Sequence, residues 1–182
     1  ITVPPRENYE DPQALLGKTL FEDAGCMSCH RPLMVTAPDA DFAPFRNQTI
    51  QPFTDLLLHD MGPDLADGRP EFEATGSEWR TPPLWGIGYV GNVLGTPTDP
   101  FDPNTPAQPN YLHDGRARSI MEAILWHGGE AEASRDAVLA MTAAERDALV
   151  AYTKFPFVDP GETAAPLCPG DTDGSGIVDF LD

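Results

Sequence analysis

The sequence predicts an all-α domain, a few helices wrapped in long irregular loops. Capped segments with apolar residues at helical spacing carry this reading, together with 20 prolines and 16 glycines that punctuate loops. No sustained alternation of apolar and polar residues marks a strand. At 182 residues the chain is long for one small helical domain and short for two. The expected organisation is one domain over residues 1–161, a linker over 162–170 rich in Ala and Pro, and a separate acidic segment over 171–182.

Asp11-Pro12 opens the first helix, with proline at the first helical position, where a missing N–H is tolerated. Leu16, Leu20 and Phe21 give it an apolar face, and Gly25 ends it. Arg31 to Pro52 reads as loop, as does the run from Gly95 to Asn110. A second helix starts at Ser119, with Glu122 in capping-box register, and runs to the Gly128-Gly129 stop. Ile120, Ile124 and His127 recur at i, i+4 and i+7, so the histidine shares the buried face. A third helix spans Glu132 to Ala140. A fourth opens at Thr142, with Glu145 as its box partner, and carries Leu149, Val150 and Tyr152.

Cys26-Met27-Ser28-Cys29-His30, where the first helix ends, is the Cys-x-x-Cys-His pattern of covalent haem attachment. The two thiols lie about one helical turn apart, matching two vinyl positions on a porphyrin, and the histidine follows at once to reach the iron. A thioredoxin-like pair would want a βαβ pattern and has no need of the histidine. A zinc site would need further thiolates or imidazoles at ligand spacing, and none is present in the sequence. The expected cofactor is one haem of the c type, and the expected place is periplasmic or extracellular, because such attachment implies export.

The chain opens on Ile1 without the features of a leader, so a removed signal peptide or a longer parent is expected. No stretch approaches the length of a membrane span. The formal charge of −18 makes nucleic acid and anionic membranes unfavourable partners. Cys168, the third cysteine, has no intrachain partner once Cys26 and Cys29 hold haem.

Three further motifs follow in order: Phe53-Thr54-Asp55-Leu56-Leu57-Leu58-His59-Asp60-Met61-Gly62, Arg80-Thr81-Pro82-Pro83-Leu84-Trp85-Gly86 and Tyr111-Leu112-His113-Asp114-Gly115-Arg116. With Cys26 to His30 they resemble the C-terminal haem domain of the di-haem oxidoreductases, thiol oxidoreductases related to the bacterial di-haem cytochrome c peroxidases. The resemblance covers about residues 3 to 156. It implies a cytochrome c-like helical fold and redox work with haem. Members of that family carry a second haem domain upstream, whereas this chain has a single Cys-x-x-Cys-His. Either an upstream half belongs with it or it is a one-haem relative.

The iron needs a sixth ligand or an open face. His59, His113, His127, Met34, Met61, Met121 and Met141 are the candidates. In the related peroxidases the distal methionine of this domain lies 14 residues beyond the histidine that His113 resembles, and that step lands here on His127. The helix face supports the same residue, since a buried imidazole wants a partner. The expected axial pair is therefore His30 and His127. His113 and His59 fit hydrogen bonding around the pocket better than ligation. Met61 and Met121 are the route to a higher-potential site, and Arg80, Arg116 and Arg118 are candidates for the haem carboxylates.

Asp171, Asp173, Ser175, Asp179 and Asp182 stand at positions 1, 3, 5, 9 and 12 of a calcium loop, with the Ile177 carbonyl at 7 and Gly174 at the turn. The segment resembles the first repeat of a dockerin module, which implies calcium and a dockerin-mediated protein partner. Two functions are then open. One is electron transfer through a bis-histidine haem to a second haem domain or another redox partner. The other is peroxidase or related oxidoreductase chemistry at an open distal face, with or without the help of a second haem domain. A saturated iron cannot bind substrate, so His127 favours the first.

Overall fold

The computed structural model describes residues 10–94 and 109–158. The linker over 162–170, the dockerin-like loop from Asp171 to Asp182, Cys168 and most of the run from Gly95 to Asn110 lie outside the described residues.

Helix α1 spans Pro12–Asp23, and the Asp11 carboxylate accepts from the Gln13 N–H at 2.9 Å. Its buried stripe is Ala14, Gly17, Lys18 and Phe21, with Leu16 left 47% exposed and Leu20 only half-buried. The expected face holds for Phe21, and in part for Leu20, but not for Leu16. Gly17 decides the matter, because a Cβ there would overlap the Ala148 carbonyl and lie 2.8 Å from the Tyr152 Cβ. Bare backbone lets α1 cross closely over α5 (Ala143–Lys154), and the contact centres on the glycine instead of the leucines.

The crossing forms the core. Tyr152 is fully buried, packs edge-on against Phe21, Phe53 and Phe157, and donates its hydroxyl to the Phe157 carbonyl at 3.0 Å. Helix α5 begins with the expected capping box: the Glu145 N–H donates to the Thr142 hydroxyl, and the Glu145 carboxylate accepts from the Thr142 N–H.

The all-α expectation does not hold. Strands β1 (Met34–Val35) and β2 (Thr49–Ile50) pair antiparallel, and so do β3 (Leu58–Asp60) and β4 (Glu78–Arg80), giving two small sheets and a mixed α/β fold. In the second sheet Leu58 faces Arg80, His59 faces Trp79 and Asp60 faces Glu78. Strands of two or three residues are too short to show a period of two, so sequence patterning cannot reveal them. The first sheet and a turn at Ala43–Phe45 occupy the segment read as loop from Arg31 to Pro52.

Helix α2 (Val90–Leu94), which no periodicity announced, precedes the undescribed stretch. Helix α3 spans Ile120–Leu125 and stops short of the expected glycine pair. The Ser119 hydroxyl caps it by accepting from the Glu122 N–H at 3.0 Å. The box is only half made, since the Glu122 carboxylate binds the Arg118 N–H and guanidinium instead. Helix α4 spans Glu132–Ala140, as expected. Among the described residues no helix is long and apolar enough to cross a membrane.

Candidate functional site

Gly25, at φ 76°, turns the chain out of α1 in a conformation glycine adopts without strain, and the turn Cys26–Ser28 follows. The His30 N–H donates to the Cys26 carbonyl at 3.0 Å, which brings both cysteines and the histidine to one wall of a cavity of about 540 Å³. Phe21, Ile120, Ile124 and Leu149 line part of the rest, so the space is mostly apolar and large enough for an organic cofactor. Burial pushes the Cys26 thiol up to about 11, with the Cys29 charge adding to it against an opposing backbone hydrogen bond. It is therefore a neutral thiol near pH 7.

His30 donates from Nδ1 to the Phe53 carbonyl at 3.2 Å. His127 lies two residues past the end of α3, not on its face as expected, and its Nδ1 donates back to the Ala123 carbonyl in that helix at 2.8 Å. No hydrogen bond among the described residues occupies Nε2 of either ring. The ring centres are 6.4 Å apart, tilted by 46°. Burial, helped by the nearby His127, lowers the pKa of His30 to about 4 against opposing pulls from Phe53 and Asp55, and burial lowers that of His127 too. Both imidazoles are neutral near pH 7, with the proton on Nδ1 and the lone pair on Nε2.

The carbonyl that orients His30 belongs to a pinned segment. Phe53 and Leu56 hold φ of 55° and 61°. The Thr54 N–H donates to the Arg31 carbonyl at 2.9 Å and its hydroxyl to the Thr81 carbonyl at 2.7 Å. The Thr54 hydroxyl and the Asp55 carboxylate in turn accept from the Leu56 and Leu57 N–H groups. The part played by Phe53 was not legible in the sequence, because the group at work is main chain.

The remaining predicted residues separate. His113 lines the cavity, hydrogen-bonds through Nε2 to the Arg80 carbonyl at 2.8 Å and meets Trp79 edge-on. Arg80 lines the cavity, and no ion pair engages it among the described residues. Arg116 and Arg118 do not line it. Arg116 is held between Trp79 and Trp126, its carbon 5.6 and 5.1 Å from the ring centres, and binds Asp114 at 2.6 Å. Arg118 pairs with Glu122. Of the methionines only Met61 touches the cavity, whereas Met121 and Met141 pack on the main core.

Cys29, Asp55 and His59 bring their ligand atoms within 4.8 Å of one another, a cluster that sequence spacing had not suggested. It is poorly suited to a metal, since both His59 nitrogens face carboxylates, Asp55 and Glu130, at 2.9 Å.

A cavity with Cys-x-x-Cys-His on one wall and a second neutral imidazole across from it has the donor set of a haem protein. The family model described as "Di-haem oxidoreductase, putative peroxidase" matches residues 1–155, and the chain belongs to that family. Haem is the family's cofactor, and redox chemistry with it is the family's work. No curated protein and no solved structure matches the chain.

Proposed function

We propose that this chain is a c-type cytochrome domain in which Cys26 and Cys29 would hold one haem and His30 and His127 would hold its iron, and that it passes single electrons to a redox partner. The observation that carries the reading is the pair of neutral imidazoles whose ring centres lie 6.4 Å apart in one cavity. Metal–nitrogen bonds of about 2 Å on each side, plus roughly 1 Å from each nitrogen to its ring centre, separate two rings ligating one ion by about 6 Å. The separation of 6.4 Å fits. When bound, haem supplies a one-electron couple at its iron.

The chain's own groups do the rest. The Phe53 and Ala123 carbonyls hold the Nδ1 protons and so fix the tautomer that offers Nε2. The apolar wall of Phe21, Ile120 and Ile124 excludes water and keeps both rings uncharged. Arg80, at the wall and without a carboxylate partner among the described residues, is the arginine placed for a haem carboxylate. Covalent attachment places the working protein in the periplasm or outside the cell, and the family's two-haem character points to a second haem domain as the partner.

Intact-mass measurement on protein from a maturation-competent host should show one added haem, with low-spin spectra in both oxidation states. His127→Gly should then produce a high-spin component that binds added imidazole. An unmodified chain would overturn the proposal. A low-spin spectrum unchanged in the variant would overturn His127 as ligand and leave Met61 as the next to test. A parent that binds cyanide or carbon monoxide without losing a ligand would favour peroxidase chemistry at an open iron.

A further inference from the structure

His59 meets the cavity beside Cys29, its Nδ1 3.8 Å from the Cys29 sulfur. Its Nε2 lies 2.9 Å from Oδ2 of Asp55, and its Nδ1 lies 2.9 Å from Oε2 of Glu130. A neutral imidazole carries one N–H, so two carboxylates on opposite nitrogens are both satisfied only by the imidazolium. The carboxylates are themselves fixed. Asp55 is buried and accepts from the Leu57 N–H at 3.0 Å, while Glu130 accepts from the Asp60 N–H at 2.9 Å.

The backbone around the clamp is tight. Gly129 stands at φ 52°, and a Cβ there would overlap the Asp60 carbonyl, so the turn carrying Glu130 sits directly on the end of β3. Among the described residues, other ionisable groups on the elements around it are Asp60 beside it on β3, Glu78 and Arg80 on β4, Arg135 on the cavity wall with Glu130, and the neutral His30 next to Cys29. Acidic groups dominate this neighbourhood and hold the proton. Burial alone would pull the pKa of His59 down, but the hydrogen bonds to Glu130 and Asp55 outweigh it and raise it above the ordinary 6.5.

We infer that His59, clamped by Asp55 and Glu130 beside Cys29, is a proton-binding site linked to the oxidation state of the haem held through that cysteine. The inference rests on the single-haem reading above. With haem held there, an electron from a one-electron donor would draw up to one proton from solution onto the neutral fraction of His59, offsetting the added negative charge. Return of the electron to an acceptor releases that proton. By linkage, protonation of His59 makes reduction more favourable to the same extent that reduction makes protonation so.

The test is a potentiometric titration of the haem-loaded full chain, read from the haem bands, between about pH 5.5 and about pH 9. The potential should fall as pH rises, through one break above pH 6.5. An affinity for the proton about tenfold higher in the reduced form separates the two plateaus by about 59 mV. His59→Gln should remove the break. Glu130→Gln keeps an acceptor for the Asp60 N–H but removes a charge, and should move the break to lower pH. A flat profile in the parent, or a break unmoved in either variant that folds with its haem bands intact, overturns the inference. A parent without haem overturns the single-haem reading instead, and its mass reveals this before any potential is measured.

Discussion

His30 and His127 are made useful by what their unused nitrogens do. A ring whose Nδ1–H is held by a carbonyl presents a lone pair at Nε2, and burial keeps that lone pair unprotonated. Arg116 shows the opposite use of a polar side chain. It was a candidate for haem contact, yet its guanidinium fills the slot between Trp79 and Trp126 and reaches the Asp64 carbonyl at 2.8 Å. A planar cation stacks there and a compact ammonium does not. Arg116→Lys should therefore cost about 1–2 kcal/mol in urea unfolding without changing the haem spectrum. A changed spectrum at unchanged stability would return Arg116 to the site.

Helix α1 delivers the cysteines, and it is placed by Gly17. The sequence marked the ends of this helix, at Asp11-Pro12 and Gly25, because caps are local chemistry. Its buried face depended on a helix more than a hundred residues away and could not be read locally. Gly17→Ala puts a methyl group into the Ala148 carbonyl, where backbone rather than a flexible side chain must move. The variant should lose at least about 2 kcal/mol, visible as a lower urea midpoint at unchanged m. An unaltered midpoint would mean that α1 and α5 do not cross there. The end of α3 has the same origin: Gly128 and Gly129 dock on residues 60–62 by backbone contact, so the helix stops before them.

At the scale of the whole molecule, the buried histidines set an acid limit. His30 has a pKa near 4 in the fold against 6.5 when exposed, and that of His127 is also lowered. Between those values the unfolded chain binds more protons, so stability is fully present above pH 6.5 and falls as pH falls through the window. For His30 the full loss is on the order of 3 kcal/mol. The raised pKa of His59 acts in the other sense, its contribution present below 6.5 and lost as pH rises through the raised value. Iron ligation at Nε2 would deepen the acid loss, because protons compete for the same lone pairs. The urea midpoint should drop steadily from about pH 7 to about pH 4.5, and a flat or rising midpoint would contradict the buried neutral pair.

The sequence by itself determined the grouping of Cys26, Cys29 and His30 just past α1, the N-caps of α1, α3 and α5 and the span of α4, all of which follow from residues within a few positions of one another; His127, expected on the face of α3, instead lies two residues past its end. The family resemblance was also legible, since it rests on the order of short motifs, and residues 1–155 match that family. Only the tertiary structure decided the rest. The two short sheets, the stripe centred on Gly17, the Phe53 carbonyl behind His30, the sandwich around Arg116 and the clamp on His59 all join residues distant in sequence. Their partners are backbone atoms or close approaches across the fold, and a one-dimensional pattern carries no record of those until the chain has closed on itself.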